Sequence, residues 1–202
     1  MVALAACVGG IAVARSGGNA TAEFVAAEPE AGYVMSLKKS ERTFTLSSIY
    51  IQRPGDEVRV LEVRALTSPN IEFIGAVNVW PSEYRATPLS VGPGYPAPEL
   101  KVHHPLQEAV PAAETSLAPQ PGVTSAPPLA VAAGFRVVSG DLGAVNGVRV
   151  VYTANGKKVT ETFHEAVIVC VDPRPCDEPE GMDFNTWRDG VLNQFGLLPK
   201  ES

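Results

Sequence analysis

Residues 148–171 carry the plainest pattern in the chain. Val148-Arg-Val-Val-Tyr-Thr-Ala154 leads into Asn155-Gly156, and Lys157 to Val171 follows. Asn-Gly is the favoured two-residue hairpin turn because both of its positions need φ above zero. Folding about it pairs Tyr152 with Val159 and Val148 with Phe163 on one face, and Arg149 with Thr162 and Thr153 with Lys158 on the other. Apolar and polar sides separate as a half-buried sheet requires, with Val150 opposite Glu161 as the exception. Ala166-Val-Ile-Val-Cys170 is continuously apolar, which predicts a central strand covered on both faces.

Earlier in the chain, Thr43 to Ile51 is rich in β-branched and aromatic residues, with Phe44, Leu46 and Tyr50 at even spacing. Arg53-Pro54-Gly55-Asp56 has the residues of a tight turn. Glu57 to Leu66 then alternates Val58 and Val60 before switching to Leu61, Val63 and Ala65, so the apolar parity flips and predicts a bulge near Val60-Leu61. Ser68-Pro69-Asn70 is the next turn, and Ile71 to Trp80 continues with Ile71, Phe73, Val77 and Val79 on one face. Three strands joined by tight turns predict an antiparallel meander.

Between Pro81 and Gly134 the character changes, since eleven of the eighteen prolines fall there. Helix or central strand is not expected in such a segment. Pro105 to Pro128 lacks the apolar mass to offset ordering entropy and reads as a loop, whereas Tyr84, Leu89, Val91, Tyr95 and Leu100 suit an extended piece along a strand edge. Near the C-terminus, Phe184, Trp187, Val191, Phe195 and Leu198 recur at helical spacing, with Asp183 as N-cap and Pro199 as stop. Gly190 weakens that helix, so it is expected to lean on the sheet.

Six to eight strands in hairpins, a Pro-rich crossover and one helix give an all-β fold class. The expected architecture is an immunoglobulin-like or related antiparallel β-sandwich with a Pro-rich insertion and a short C-terminal helix. The expected division is an apolar segment at 1–17, a spacer at 18–32 and one sandwich domain at 33–202 interrupted by a Pro-rich loop at about 105–128. In layout the chain resembles the tethered extracytoplasmic β-domains of Gram-positive, high-GC bacteria, in which an N-terminal hydrophobic segment carries one small sandwich. That likeness transfers no functional residue.

The N-terminal run to Ala14 is uncharged and apolar and ends at Arg15. It lacks the basic start of a secretory signal and is shorter than the roughly 20 residues of a spanning helix, so it is expected to be an export or anchor segment cut short, with an Ala/Gly-rich disordered terminus as the plain alternative. Leu4-Ala5-Ala6-Cys7 also matches a lipoprotein box, although the residues after Cys7 stay apolar where a polar tether would follow. Outside the cytosol, Cys170 and Cys176 in Cys-Val-Asp-Pro-Arg-Pro-Cys are expected to form a structural disulfide. The spacing does not suit a redox Cys-x-x-Cys motif. Net charge is −6 with no basic cluster larger than Lys38-Lys39 or Lys157-Lys158, which excludes a nucleic-acid partner.

No Gly-x-Ser-x-Gly elbow and no phosphate loop is present, and no nucleophile has a spaced base, so catalysis is not expected. His103-His104, or His164 with Met35 and Met182, supply the residue types of a copper site. Asp172, Asp177, Glu178, Glu180 and Asp183 supply oxygen ligands for calcium, but Pro173, Pro175 and Pro179 interrupt every register, and a solvated acidic loop is the plainer reading. Trp80 and Trp187 read as core or edge aromatics. No catalytic, cofactor or metal residue is assigned. The expected function is a non-enzymatic module, tethered to the cell membrane by its N-terminal segment with the domain extracytoplasmic, that binds another membrane or cell-envelope protein. An extracytoplasmic carrier of a small ligand or copper is the alternative.

Overall fold

The computed structural model describes residues 27–51, 56–79, 91–98, 102–104, 106–110, 129–174 and 176–199. These form ten strands and one helix: β1 (Ala31–Leu37), β2 (Thr43–Ile51), β3 (Val58–Thr67), β4 (Ile71–Val79), β5 (Val91–Pro93), β6 (Val102–His104), β7 (Ala109–Val110), β8 (Leu129–Val137), β9 (Leu142–Ala154), β10 (Lys157–Val171) and α1 (Phe184–Gln194). They make an all-β sandwich of two sheets, ordered β1-β10-β9-β3-β7 and β5-β2-β8-β4-β6. Phe44, Leu46, Val131, Phe135, Val148, Val150, Tyr152, Val167 and Val169 fill the space between them. Phe44 stacks on Phe135 with ring centroids 5.0 Å apart, and Phe73 meets Phe135 edge-on at 5.8 Å.

The Asn-Gly hairpin forms in the expected register, with Tyr152 opposite Val159 and Val148 opposite Phe163. Asn155 and Gly156 both have positive φ, 48° and 77°. Glu161, facing Val150, accepts a 2.6 Å hydrogen bond from the Tyr152 hydroxyl, which gives this inward carboxylate a partner. The bulge near Val60-Leu61 is also present: Val60 pairs with Tyr152 and Glu62 with Val151, so Leu61 is the extra residue and stands exposed.

The meander does not form. β2 and β4 both flank β8, while β3 lies in the other sheet beside β9, so β2, β3 and β4 alternate across the sandwich. The Ser68-Pro69-Asn70 corner explains the crossing from β3 to β4. Ser68 exchanges bonds with Ala144, donating from its N–H (2.8 Å) and accepting at Oγ (2.9 Å), and Asn70 Nδ2 donates to the Leu142 (2.7 Å) and Ser139 (3.0 Å) carbonyls. The corner is therefore nailed to the start of β9 rather than folding β4 back on β3. Gly143 is required there, because a Cβ would lie 2.7 Å from Ile71 Cδ1.

Three further expectations are corrected. The sandwich is not wholly antiparallel, since β1 runs parallel to β10 from Ala31 opposite Glu165 to Leu37 opposite Val171. β1 begins at Ala31 and Asn146 Nδ2 already donates to the Ala27 carbonyl (3.0 Å), so the last part of the 18–32 spacer belongs to the folded unit. A central strand does occur in the Pro-rich span: β8, in the middle of its sheet, starts at Leu129 immediately after the last proline. β7 likewise falls within 105–128. Trp80, Tyr84, Leu89, Leu100 and Cys7, with the rest of the apolar N-terminal segment, lie outside the described residues.

Candidate functional site

The outer face of the β9–β10 pair is where the chain's cysteines and helix meet. Ala166, Ile168 and Cys170 from β10 and Leu142 and Ala144 from β9 face outward, while Val167 and Val169 face the main core, so β10 is covered on both sides as expected. Val191, Leu192, Trp187 and Phe195 of α1 and its flank pack onto this face with Leu197 and Leu198. Between strand and helix, Cys170 and Cys176 are joined at disulfide-bonding distance, with Cα atoms 5.4 Å apart. The chain through this loop is held by Val171 N–H to the Asp141 carbonyl (2.8 Å) and Asp172 N–H to the Leu37 carbonyl (3.0 Å).

The helix starts as the spacing requires. Asp183 accepts from Thr186 N–H (3.1 Å) and from Thr186 Oγ1 (2.6 Å), and these bonds hold its carboxyl below the usual aspartate range. It ends at Gln194, before the expected Pro199, because Gly196 at φ 66° reverses the chain and Gly196 and Leu197 N–H return to Asn193 and Leu192 carbonyls (both 2.9 Å). Arg188 is buried against β1: its stem would meet a Cβ at Gly32, its guanidinium lies 5.9 Å from the Phe184 ring centre, and it pairs with Asp189 at 2.8 Å.

A second constellation, not foreseen, lies where bulges in the two sheets approach each other. β2 shifts register between Leu46 and Ile49, β10 between Phe163 and Ala166, and across that gap the Ser48 hydroxyl donates to Glu165 Oε2. Burial pushes the Glu165 carboxyl above the usual glutamate range, the Ser48 bond opposes this, and the nearby Glu30 charge adds to the rise. Glu30 is held close by its N–H, which donates to the His164 carbonyl at 2.7 Å. The sequence sign at this clasp is a polar pair inside an apolar stretch in β2, Ser47-Ser48, and a polar pair just ahead of the apolar run Ala166–Cys170 in β10, His164-Glu165.

The remaining candidates stay apart. Met35 lies in the core between the sheets, Met182 is exposed on the segment leading to α1, and His164 sits in the β10 bulge. His103 and His104 belong to β6, at the far edge of the opposite sheet from β10 and β1. Asp172, Asp177, Glu178, Glu180 and Asp183 are spread along the exposed connection between β10 and α1. Among the described residues no group of three or more His, Cys, Asp or Glu is gathered to hold a metal ion. Trp187 is half-buried, 6.2 Å from the Phe184 ring, and packs on the outer face of the sheet. No helix among the described residues is long and apolar enough to cross a membrane. No protein-family model matches the chain, and no curated protein matches it in sequence.

Proposed function

We propose that the chain is a non-enzymatic cell-envelope module whose N-terminal apolar segment tethers an immunoglobulin-like sandwich outside the cytosol, where it docks another membrane or envelope protein. The observation that carries this reading is the bonded Cys170–Cys176 pair, because a disulfide in so short a loop persists in an oxidising compartment and is reduced in the cytosol. The immunoglobulin-like assignment draws on strand order: β2-β8-β4 corresponds to strands B-E-D and β10-β9-β3 to G-F-C, with residues 80–128 inserted between the equivalents of D and E.

Binding rather than catalysis is favoured by how the inward and clustered polar groups are used. Glu161 is tied to Tyr152, Ser48 to Glu165, and Asp183 to the helix start, so each serves the fold. Protease added to intact cells, followed by crosslinking and purification of the full-length chain from native membranes, tests the proposal. It predicts that the sandwich is cleaved from outside and that one envelope protein is crosslinked in stoichiometric amount. A chain shielded from external protease, or one crosslinked to no envelope protein, contradicts it.

A further inference from the structure

We propose that β1 is a docking edge for a second copy of this chain, the two β1 strands pairing antiparallel about a two-fold axis at Val34 and merging their sheets into one. This goes beyond the tethered-module reading and does not depend on the compartment. β1 is the outermost strand of its sheet, bonded to β10 alone, and among the described residues no backbone hydrogen bond leaves its other side. Such an edge offers a row of unpaired N–H and C=O groups, which proteins ordinarily blunt with prolines, charges, bulges or brevity.

The other edges of this sandwich carry those devices. β7 has two residues, β6 has three, and β5 has three and ends in Pro93; beyond these short strands β3 is bulged at Leu61 and lined by Glu62 and Arg64, β2 shifts register between Leu46 and Ile49, and β4 carries Glu72 and shifts register between Phe73 and Gly75. β1, by contrast, is Ala-Gly-Tyr-Val-Met-Ser-Leu: seven residues with no charge, no proline and no register shift.

The edge is also complementary to itself. The Leu37 carbonyl turns toward β10, where it accepts from Asp172 N–H, so the alternation of a parallel ladder points the backbone groups of Gly32, Val34 and Ser36 to the open side. About a two-fold at Val34, Val34 meets Val34 and Gly32 meets Ser36, so every outward group faces an outward group. In the same register the exposed Glu30 of one copy stands opposite the exposed Lys38 of the other, twice by symmetry, with Glu28 and Lys39 just outside. An acidic entry, an uncharged middle and a basic exit thus select an antiparallel second copy, since a parallel pairing would set like charges side by side.

Sedimentation of the full-length chain in detergent tests this. The parent dimerises. K38E and E30K each set like charges opposite each other twice and weaken the dimer about tenfold, whereas the E30K/K38E double variant recovers parental affinity. V34P removes a donor from the open side and yields monomer with unchanged near-ultraviolet circular dichroism. If V34P does not fold, the charge series decides alone. A parent chain that stays monomeric at about 0.1 mM, or a dimer indifferent to both single reversals, overturns the proposal.

Discussion

Glu165 occupies a position where ionisation is costly, and the direction of its shift fixes how stability responds to pH. Its folded-state affinity for a proton exceeds that of the unfolded chain, so the favourable contribution is complete below the ordinary glutamate range and is lost as pH rises through the folded value. E165Q keeps an acceptor for Ser48 without the charge. It is expected to raise the melting temperature at pH 7, with the gain shrinking to nothing toward pH 4, as differential scanning calorimetry at several pH values would measure. A second residue-scale test concerns Gly134 in β8, where the Tyr95 ring lies so close that a Cβ would come within 2.2 Å of it. G134A is expected to cost about 2 kcal/mol in chemical denaturation, and the penalty should largely vanish in a Y95A background, because the two side chains would compete for one space.

At the scale of the element, legibility depended on bulges. The Asn-Gly hairpin was readable from its turn out to Val148 and Phe163, where turn residues and alternation agree, but not the β10 shift between Phe163 and Ala166, and the β3 bulge was readable because apolar residues crowd both parities around it. In β4, Ile71 and Phe73 face the core between the sheets while Val77 and Val79 face the other side, since the register shifts between Phe73 and Gly75, and Gly75 has φ 142°. β2 behaves the same way, with Phe44 and Leu46 inward and Tyr50 outward across the Leu46/Ile49 shift. Period-2 counting across these bulges assigns one face where there are two. β8 escaped for another reason: its outward residues Ala130, Ala132 and Gly134 are small because chain packs closely over them, and small residues carry no strand signal. The disulfide, legible from spacing, supports a prediction here. C170A/C176A is expected to lose about 2 kcal/mol of unfolding free energy and to shift Trp187 emission as α1 loosens from the sheet, measurable by fluorescence-monitored denaturation.

For the whole molecule, composition and pattern reached the class, an all-β sandwich with a helix on one face, but not the connectivity. Turn residues say that a strand ends; whether the chain returns in the same sheet or crosses depends on distant partners, here the bonds that tie Ser68 and Asn70 to β9. The candidate site was half legible: the cysteine pair and helix cap were visible, the Ser48–Glu165 clasp was not, because it joins residues 117 positions apart. Maturation outside the cytosol, proposed above, requires the Cys170–Cys176 disulfide to be closed in the cell. Differential alkylation of the full-length chain recovered from its native cells, with membrane and cytosolic fractions compared, measures this. The expected result is membrane-fraction protein in which Cys170 and Cys176 resist alkylation until a reductant is added; soluble cytosolic protein with both thiols reactive on denaturation alone would overturn the proposed location.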